Sequence, residues 1–145
     1  MNPTAPKIWT LVEAQASFQN TIMATLGLVI ETCNDEVLQL SMPISTITLQ
    51  PFGLLHGGVT MLLVESAASF HACWGVDLNE KYPVGIEING SHLNSASSGH
   101  VRAVAKVLRR SRSLIVHEVE VVHAESKRTL CVGRVTNFYK TIKRE

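Results

Sequence analysis

One nearly uncharged stretch constrains the fold of this chain more than any other feature. Between Val37 and Val76, Glu65 is the only Asp, Glu, Lys or Arg. Residues 57–75 within it are rich in Ala, Leu and Met, a pattern that predicts a largely buried helix at the centre of the domain. An isolated carboxylate is costly to bury. Glu65 is therefore exposed, or satisfied by a structural partner such as a histidine, or functional.

The N-terminal region predicts a second helix. Thr10 and Glu13 have the spacing of a capping box, in which each residue bonds the backbone N–H of the other. A helix over about residues 10–26 follows, and Gly27 suits the position just after its last turn. Residues 28–33 and 37–42 then predict a β-hairpin, and 43–56 a loop.

Strand patterns fill the chain after the central helix. Runs that alternate apolar and polar residues predict four strands, at about 83–91, 100–108, 113–123 and 129–138. Helices followed by consecutive strands indicate an α+β domain in which a helix packs on an antiparallel sheet. With 145 residues, the chain fits one domain over residues 1–145.

Composition excludes several classes of protein. A net charge of +1 argues against a nucleic-acid-binding protein. The three cysteines are widely spaced and form no C-x-x-C motif, so we expect no disulfide framework and a reducing compartment. The sequence shows neither a secretion signal nor a membrane-spanning apolar run, which predicts a soluble, cytoplasmic protein without a membrane partner.

Two motifs flank the central helix and carry a resemblance to a known family. "QPFGLLHGG" leads into the helix that contains Glu65, and "GIEINGSH" follows it. Over about residues 8–139, the chain resembles the hotdog-fold acyl-CoA thioesterases. The branch is that of the PaaI-like enzymes, the Arthrobacter-type 4-hydroxybenzoyl-CoA thioesterase and the 1,4-dihydroxy-2-naphthoyl-CoA thioesterases. The resemblance implies an antiparallel sheet wrapped around a long central helix, with an additional N-terminal helix.

The start of the central helix offers a group that could activate a thioester. Gly57 is expected to begin the helix, where backbone N–H groups lack helical acceptors and can stabilise an oxyanion. The resemblance implies that role for Gly57. It also implies that His56 helps to hold the site together and that Gln50 hydrogen-bonds near the carbonyl.

The resemblance assigns the catalytic carboxylate to Glu65, acting as nucleophile or as general base for water. Ser69 would assist that carboxylate and, at i+4, lies on the same helix face. Glu65 lies nine residues after His56, about 13 Å along the helix axis, and points to the opposite side. A second chain is therefore expected to bring its own Glu65 to the helix start. A dimer is the minimum active unit, and the family implies a homotetramer with sites between subunits.

The resemblance also implies a coenzyme A site, with no metal and no cofactor. Three segments would line it: Gly85; His92, Leu93, Asn94 and Ser95; and Arg109, Arg110, Ser111, Arg112, Ser113 and Leu114. The second segment departs from the more basic sequence of many relatives. On the residues alone, the basic segment could equally be a solvated turn. "HEVEV" at residues 117–121 lacks the final histidine of a zinc motif.

The activity expected from the resemblance is hydrolysis of an acyl-CoA to the free acid and CoA. Aromatic acyl groups suit the nearest-looking relatives, and medium-chain aliphatic groups stay open. A non-catalytic acyl-CoA-binding module is the alternative from another class. A hotdog hydratase or dehydratase would need an Asp/His arrangement that the sequence does not show.

Overall fold

The computed structural model describes residues 5–143. Two short helices come first, followed by a hairpin, a long helix and four long strands. In chain order these elements are α1 (Leu11–Ala16), α2 (Ile22–Thr25), β1 (Val29–Cys33), β2 (Val37–Pro43), α3 (Gly57–Cys73), β3 (Lys81–His92), β4 (His100–Arg110), β5 (Leu114–His123) and β6 (Thr129–Thr141). A single 3-10 turn, Thr46–Thr48, lies in the loop before α3.

The six strands form one antiparallel sheet in the order β1-β2-β4-β5-β6-β3. The α3 helix crosses it and contacts five strands, β2 to β6. The predicted α+β architecture, a sheet wrapped around a central helix, is confirmed. Within residues 5–143, β1 and β3 end the strand order, so the outer edge of β3 can accept another strand.

The core lies between α3 and the sheet. Leu63, Val64, Ala67 and Ala68 of α3 are fully buried. The sheet meets them with alternate residues of its strands, as the period of two in a half-buried strand requires. Small residues at Ala103 and Ala105 of β4 are also fully buried, which lets the helix approach the sheet closely.

The prediction of one N-terminal helix over residues 10–26 is wrong. The capping box at Thr10 is present, but α1 ends at Ala16 and α2 begins at Ile22. Asn20 between them has a φ of 60°, which no α-helix accommodates. Ser17 and Thr21 donate their hydroxyl hydrogens to backbone carbonyls three residues back, at 2.6 Å each, and so favour a turn over a continuous helix.

The break between α1 and α2 lets Phe18 pack into the core. Its ring meets Phe70 of α3 edge to face, with centroids 4.6 Å apart, and is almost fully buried. Gly27 has a φ of +71° and ends α2 as the sequence predicts.

The central helix is two residues shorter than predicted. It begins at Gly57 as expected but ends at Cys73, because Trp74 has extended backbone angles and Gly75 a φ of +69°. Three of the four C-terminal strands run beyond their predicted bounds. No helix within residues 5–143 is long and apolar enough to cross a membrane.

Candidate active site

The first turn of α3 contains backbone N–H groups that have no helical acceptor, and Gly57 is the first of them. His56 is the N-cap, and its Nδ1 accepts a hydrogen bond of 2.8 Å from the N–H of Gly58. An Nδ1 that accepts places the proton of a neutral imidazole on Nε2. Gly57, the first helical residue, has no helical acceptor for its own N–H, which points out at the positive end of the helix. The His56 side chain thus caps the helix, and the backbone N–H of Gly57 is left as a hydrogen-bond donor at the helix start.

A cavity of about 220 Å³ lies at this helix end and gathers residues from three segments of the sequence. Gln50 and Gly57 line it from one side, and His92, Asn94 and Ser95 from the other. The His92 ring covers the helix start: a Cβ built on Gly57 would lie 3.1 Å from His92 Nε2. Residues predicted to act on the carbonyl and residues predicted to bind coenzyme A therefore share one cavity.

Gln50 is held by a tight loop. A bridge between Leu49 and Leu55 closes the loop, and the N–H of Gln50 donates to the carbonyl of Leu54 at 2.8 Å. The side-chain Oε1 accepts from the N–H of Phe52. This contact fixes the orientation of the amide and leaves Nε2 as the group available to donate to a substrate carbonyl.

Glu65 belongs to a second cluster on the same helix. Its side chain is half-buried, and Oε1 accepts a hydrogen bond of 2.8 Å from Ser69 Oγ, the i+4 contact that the spacing predicts. Ser69 Oγ in turn accepts from Nδ2 of Asn137 at 2.9 Å. Sequence reasoning missed Asn137. The period of two in β6, which places it inward between Val135 and Tyr139, is the signal that could have found it.

Gly85 lies directly over the carboxylate of Glu65. A Cβ built there would be 3.1 Å from Cδ of Glu65 and closer still to Oε1. A β-bulge between Gly85 and Glu87 gives the strand its local shape. Any side chain at position 85 would have to displace the carboxylate.

If Glu65 is the catalytic carboxylate that the resemblance implies, Gly85→Ala should reduce turnover while leaving the fold intact. Gly85 is exposed and lies on an edge strand, so the strand can carry the methyl group, but Glu65 must rotate away from Ser69. We expect kcat to fall by roughly tenfold to a hundredfold, the loss typical of a misplaced catalytic group. Gly90→Ala on the same strand is the matched control, because its Cβ would meet the flexible side chain of Met61 in α3. Equal losses in both variants would contradict a specific role for Gly85.

The two clusters do not meet within one chain. Gly57 lies against His92, whereas Glu65 lies against Gly85, seven residues earlier on β3. Along α3, Glu65 follows Gly57 by eight residues, about 12 Å at 1.5 Å per residue. The carboxylate does not line the cavity at the helix start.

The basic segment, residues 109–114, lies at the end of the sheet opposite the cavity at the helix start. Ser111 and Leu114 close the β4–β5 turn through three hydrogen bonds, and Arg110 donates to the carbonyl of Asp35 at 3.0 Å. Arg112 and Ser113 are exposed and line a cleft of about 470 Å³ together with Lys81, which sequence reasoning missed.

That turn is remote from the other predicted coenzyme A segment. The register places Leu114 in line with Val84, about 27 Å along β3 from His92. Leu93 is exposed beside the cavity at the helix start, and Asn94 accepts from Arg128, a further residue that the sequence analysis did not single out.

Other nucleophile or metal chemistry finds no support in the described residues. Burial raises the pKa of the Cys33 thiol to about 11 and that of Cys73 to about 12, so both are protonated and weakly nucleophilic at neutral pH. Residues 5–143 contain no group of three or more His, Cys, Asp or Glu side chains placed to hold a metal ion.

With this geometry in place, similarity to known proteins decides the family. The family model described as "Thioesterase superfamily" matches residues 52–130. This segment begins at Phe52, the hydrogen-bond partner of Gln50, and includes all of α3 and the strands up to the start of β6. The chain belongs to the thioesterase superfamily. The predicted hotdog thioesterase fold and the predicted enzyme class are therefore confirmed.

Several characterised or solved proteins are similar over most of this thioesterase. The 1,4-dihydroxy-2-naphthoyl-CoA hydrolase of Escherichia coli is 36% identical over 88% of this chain and 92% of its own. A crystal structure of a mutant of thioesterase PA1618 from Pseudomonas aeruginosa has 35% identity and a TM-score of 0.87, covering 92% of this chain and 96% of that one.

A third relative is the thioesterase SAV0944 of Staphylococcus aureus. Two of its mutants have been solved, one with a glutamate and one with a glutamine replaced by alanine. Both are 30% identical to this chain, with TM-scores of 0.81 and 0.80. The matches cover 83% and 82% of this chain, and 99% and 98% of the two solved chains.

Proposed function

We propose that this thioesterase hydrolyses an acyl-CoA at a site shared by two protomers. Gly57 and Gln50 of one protomer would hold the thioester carbonyl, and Glu65 of the other would promote its attack. The observation that supports the proposal is the separation of the two clusters: Gln50 and Gly57 line one cavity, while Glu65 lies outside it with Ser69 and Gly85.

The free edge of β3 supplies a way to join the halves. The strand is an unpaired edge, and Ile86 and Ile88 on it are 58% and 40% exposed. Antiparallel pairing of β3 with its copy, centred near Ile88 and Asn89, would set Gly85 of one protomer beside His92 of the other. Since Gly85 marks the position of Glu65 and His92 that of Gly57, this pairing brings the carboxylate to the carbonyl site.

The same pairing would also unite the predicted coenzyme A segments. Lys81 of one protomer would lie opposite Ser95 and Ala96 of the other, so the cleft that Lys81 forms with Arg112 would extend the cavity at the helix start. Lys and Arg bind phosphate groups through charge-assisted hydrogen bonds. We assign this cleft to the phosphates of coenzyme A.

The chemistry follows from the donors and acceptors present. The Gly57 N–H and Gln50 Nε2 donate to the carbonyl oxygen and stabilise the negative charge that develops there. Glu65 either attacks the carbonyl carbon, giving an anhydride that water cleaves, or takes a proton from an attacking water. In both routes the C–S bond breaks, the CoA thiolate leaves and is protonated, and the free acid remains. Neither route requires a metal or a redox cofactor.

The relatives support these assignments. The glutamine and glutamate replaced in SAV0944 are 15 residues apart, and Gln50 and Glu65 have the same spacing here.

The E. coli relative is named for an aromatic acyl-CoA substrate. We therefore propose an aromatic acyl group, and a panel of aromatic and medium-chain aliphatic CoA esters, followed with a thiol reagent, would distinguish the two classes. Binding of these esters without release of thiol would instead indicate a non-catalytic module.

Mixed protomers would test the shared site. Glu65→Gln and Gly57→Pro, carried on chains with different tags, should each be inactive alone. In a species purified through both tags in turn, one of the two sites in each mixed dimer has both wild-type halves, so activity should return to as much as about half of wild type. No recovery in a verified mixed dimer would place each site within a single protomer and overturn the proposal.

A further inference from the structure

The side chain of Asn137 is the least explained polar group near the carboxylate. It is fully buried on the inner face of β6, between the apolar positions Val135 and Tyr139. Its Nδ2 donates to Ser69 Oγ at 2.9 Å, and Ser69 donates to Glu65 Oε1 at 2.8 Å. A chain of two hydrogen bonds thus connects the sheet to the carboxylate.

The number of available hydrogens determines which group donates and which accepts in these two hydrogen bonds. The single hydroxyl hydrogen of Ser69 is donated to Oε1 of Glu65. Ser69 Oγ must then accept from Asn137, which requires the amide to present its NH₂ group and to turn Oδ1 the other way. The orientation of the Asn137 amide and the direction of the Ser69 hydroxyl are therefore coupled.

The carbonyl oxygen of the Asn137 amide, Oδ1, lacks a donor among the described residues. Within residues 5–143, its buried Oδ1 has no hydrogen-bond partner, and neither does Nδ1 of His117. Both residues face inward from neighbouring strands, since Asn137 pairs with Ile115 and His117 with Val135, so they occupy diagonal positions.

The histidine tautomers show that these two atoms cannot satisfy each other. His71 Nε2 lies 2.7 Å from the carbonyl of Asn34, so it carries the proton, and Nδ1 of His71 accepts from Nε2 of His117 at 2.9 Å. Nδ1 of His117 is then an acceptor, like Oδ1 of Asn137. Burial lowers the pKa of both histidines, that of His117 to about 3, in keeping with neutral rings.

Asn137 therefore costs stability where it stands. A buried acceptor without a donor is destabilising, and an apolar residue of the same shape removes that penalty. What the amide provides instead is a fixed donor behind Ser69.

We propose that Asn137 is a positioning residue for the reaction, which holds the Ser69 hydroxyl aimed at Glu65. The inference rests on the proposed role of Glu65. Without the amide, Ser69 can donate instead to the backbone carbonyl of Glu65 four residues earlier, the usual alternative for a serine inside a helix. Glu65 then loses its fixed donor and samples orientations that do not reach the carbonyl.

Asn137→Leu separates positioning from structure. Because the substitution removes an unsatisfied acceptor and keeps the number and branching of the side-chain heavy atoms, Tm should stay equal or rise. We expect kcat to fall roughly tenfold to a hundredfold, with KM nearly unchanged, since the loss falls on the chemical step. Asn137→Asp, which has the same shape but replaces the donor by an acceptor, should lose at least as much activity and covers the case that the leucine does not fold.

Gln15→Met is the matched control. The Gln15 amide of α1 donates from Nε2 to the carbonyl of Leu28 at 3.1 Å and accepts at Oε1 from the N–H of Ile30 at 2.7 Å, beside β1 and at the edge of the sheet opposite β3. Its loss removes two hydrogen bonds between α1 and the segment of β1. We expect a lower Tm and an unchanged kcat, the reverse of the result for Asn137→Leu.

A double-mutant cycle identifies the route of the effect. If Asn137 acts through Ser69, Asn137→Leu should cost no further activity in a Ser69→Ala background. Additive losses, or a wild-type kcat in Asn137→Leu and Asn137→Asp, would overturn the inference. Glu65→Gln, assayed alongside, keeps the two proposals apart: its inactivity together with fully active Asn137 variants would refute only the positioning role.

Discussion

Glu65→Gln should abolish turnover while the protein folds and assembles normally. Glutamine has the same size and can still accept the hydrogen bond from Ser69, so the environment of the side chain is kept. It can neither attack a carbonyl nor take a proton from water. We expect kcat to fall by about a thousandfold or more, the combined loss of a nucleophile or general base and its charge. Tm should not fall, because a half-buried amide costs less to desolvate than a carboxylate.

The measurement is thiol release from a CoA ester, with Tm and oligomeric state determined for the same preparations. Glu118→Gln, a change of the same kind at an exposed position of β5, is the control and should keep full activity. A wild-type rate in Glu65→Gln would remove this residue from the mechanism.

The wild-type enzyme can then report which role Glu65 has. Under single-turnover conditions in oxygen-18 water, direct attack by Glu65 puts a solvent oxygen into the enzyme carboxylate when water opens the anhydride at Cδ of Glu65. When water attacks the acyl carbon instead, the label goes into the acid product. General-base catalysis places the label only in the acid product. Label in Glu65 would establish the nucleophilic route.

Gly57→Pro should remove the oxyanion donor without breaking the helix. Proline lacks a backbone N–H, yet it is well tolerated at the first helical position. His56 already has φ −66° and ψ 127°, the extended conformation that a residue before proline prefers. We expect kcat to fall by about a hundredfold to a thousandfold, the loss reported for removal of one oxyanion donor in other hydrolases.

Gly57→Ala supplies the control for the added atoms. It keeps the N–H and places its Cβ at the same 3.1 Å from His92 Nε2, an exposed side chain that can shift. We expect only a small loss for alanine. Similar losses for alanine and proline would mean that crowding of His92, and not the N–H, explains the effect.

Much of the fold follows from local patterns in the sequence. The apolar run after His56 predicts the central helix to its first residue, and the four alternating runs predict β3 to β6 within a few residues. These features depend on spacing along the chain, so short-range rules suffice. The N-terminal helix shows their limit: its periodicity continues through Asn20, but the burial of Phe18 against Phe70 is a long-range contact that breaks it.

Part of the candidate site is local in the same way. Glu65 and Ser69 are four residues apart on one helix, and their hydrogen bond follows from the helical repeat. The N–H of Gly57 is free because a helix begins there. The distance between Gly57 and Glu65 also follows from helix geometry, and it is the reason to expect a second protomer.

What the sequence by itself determined is therefore the central helix, its cap, the alternation of the strands and the spacing of the groups along them. Only the tertiary structure decided which remote residues meet: Gly85 over the Glu65 carboxylate, His92 over Gly57, and Asn137 behind Ser69. The physical reason is that such contacts depend on the register of the sheet and on how α3 lies across it. A shift of one residue in register would turn Asn137 to the outer face, and no local spacing records that choice.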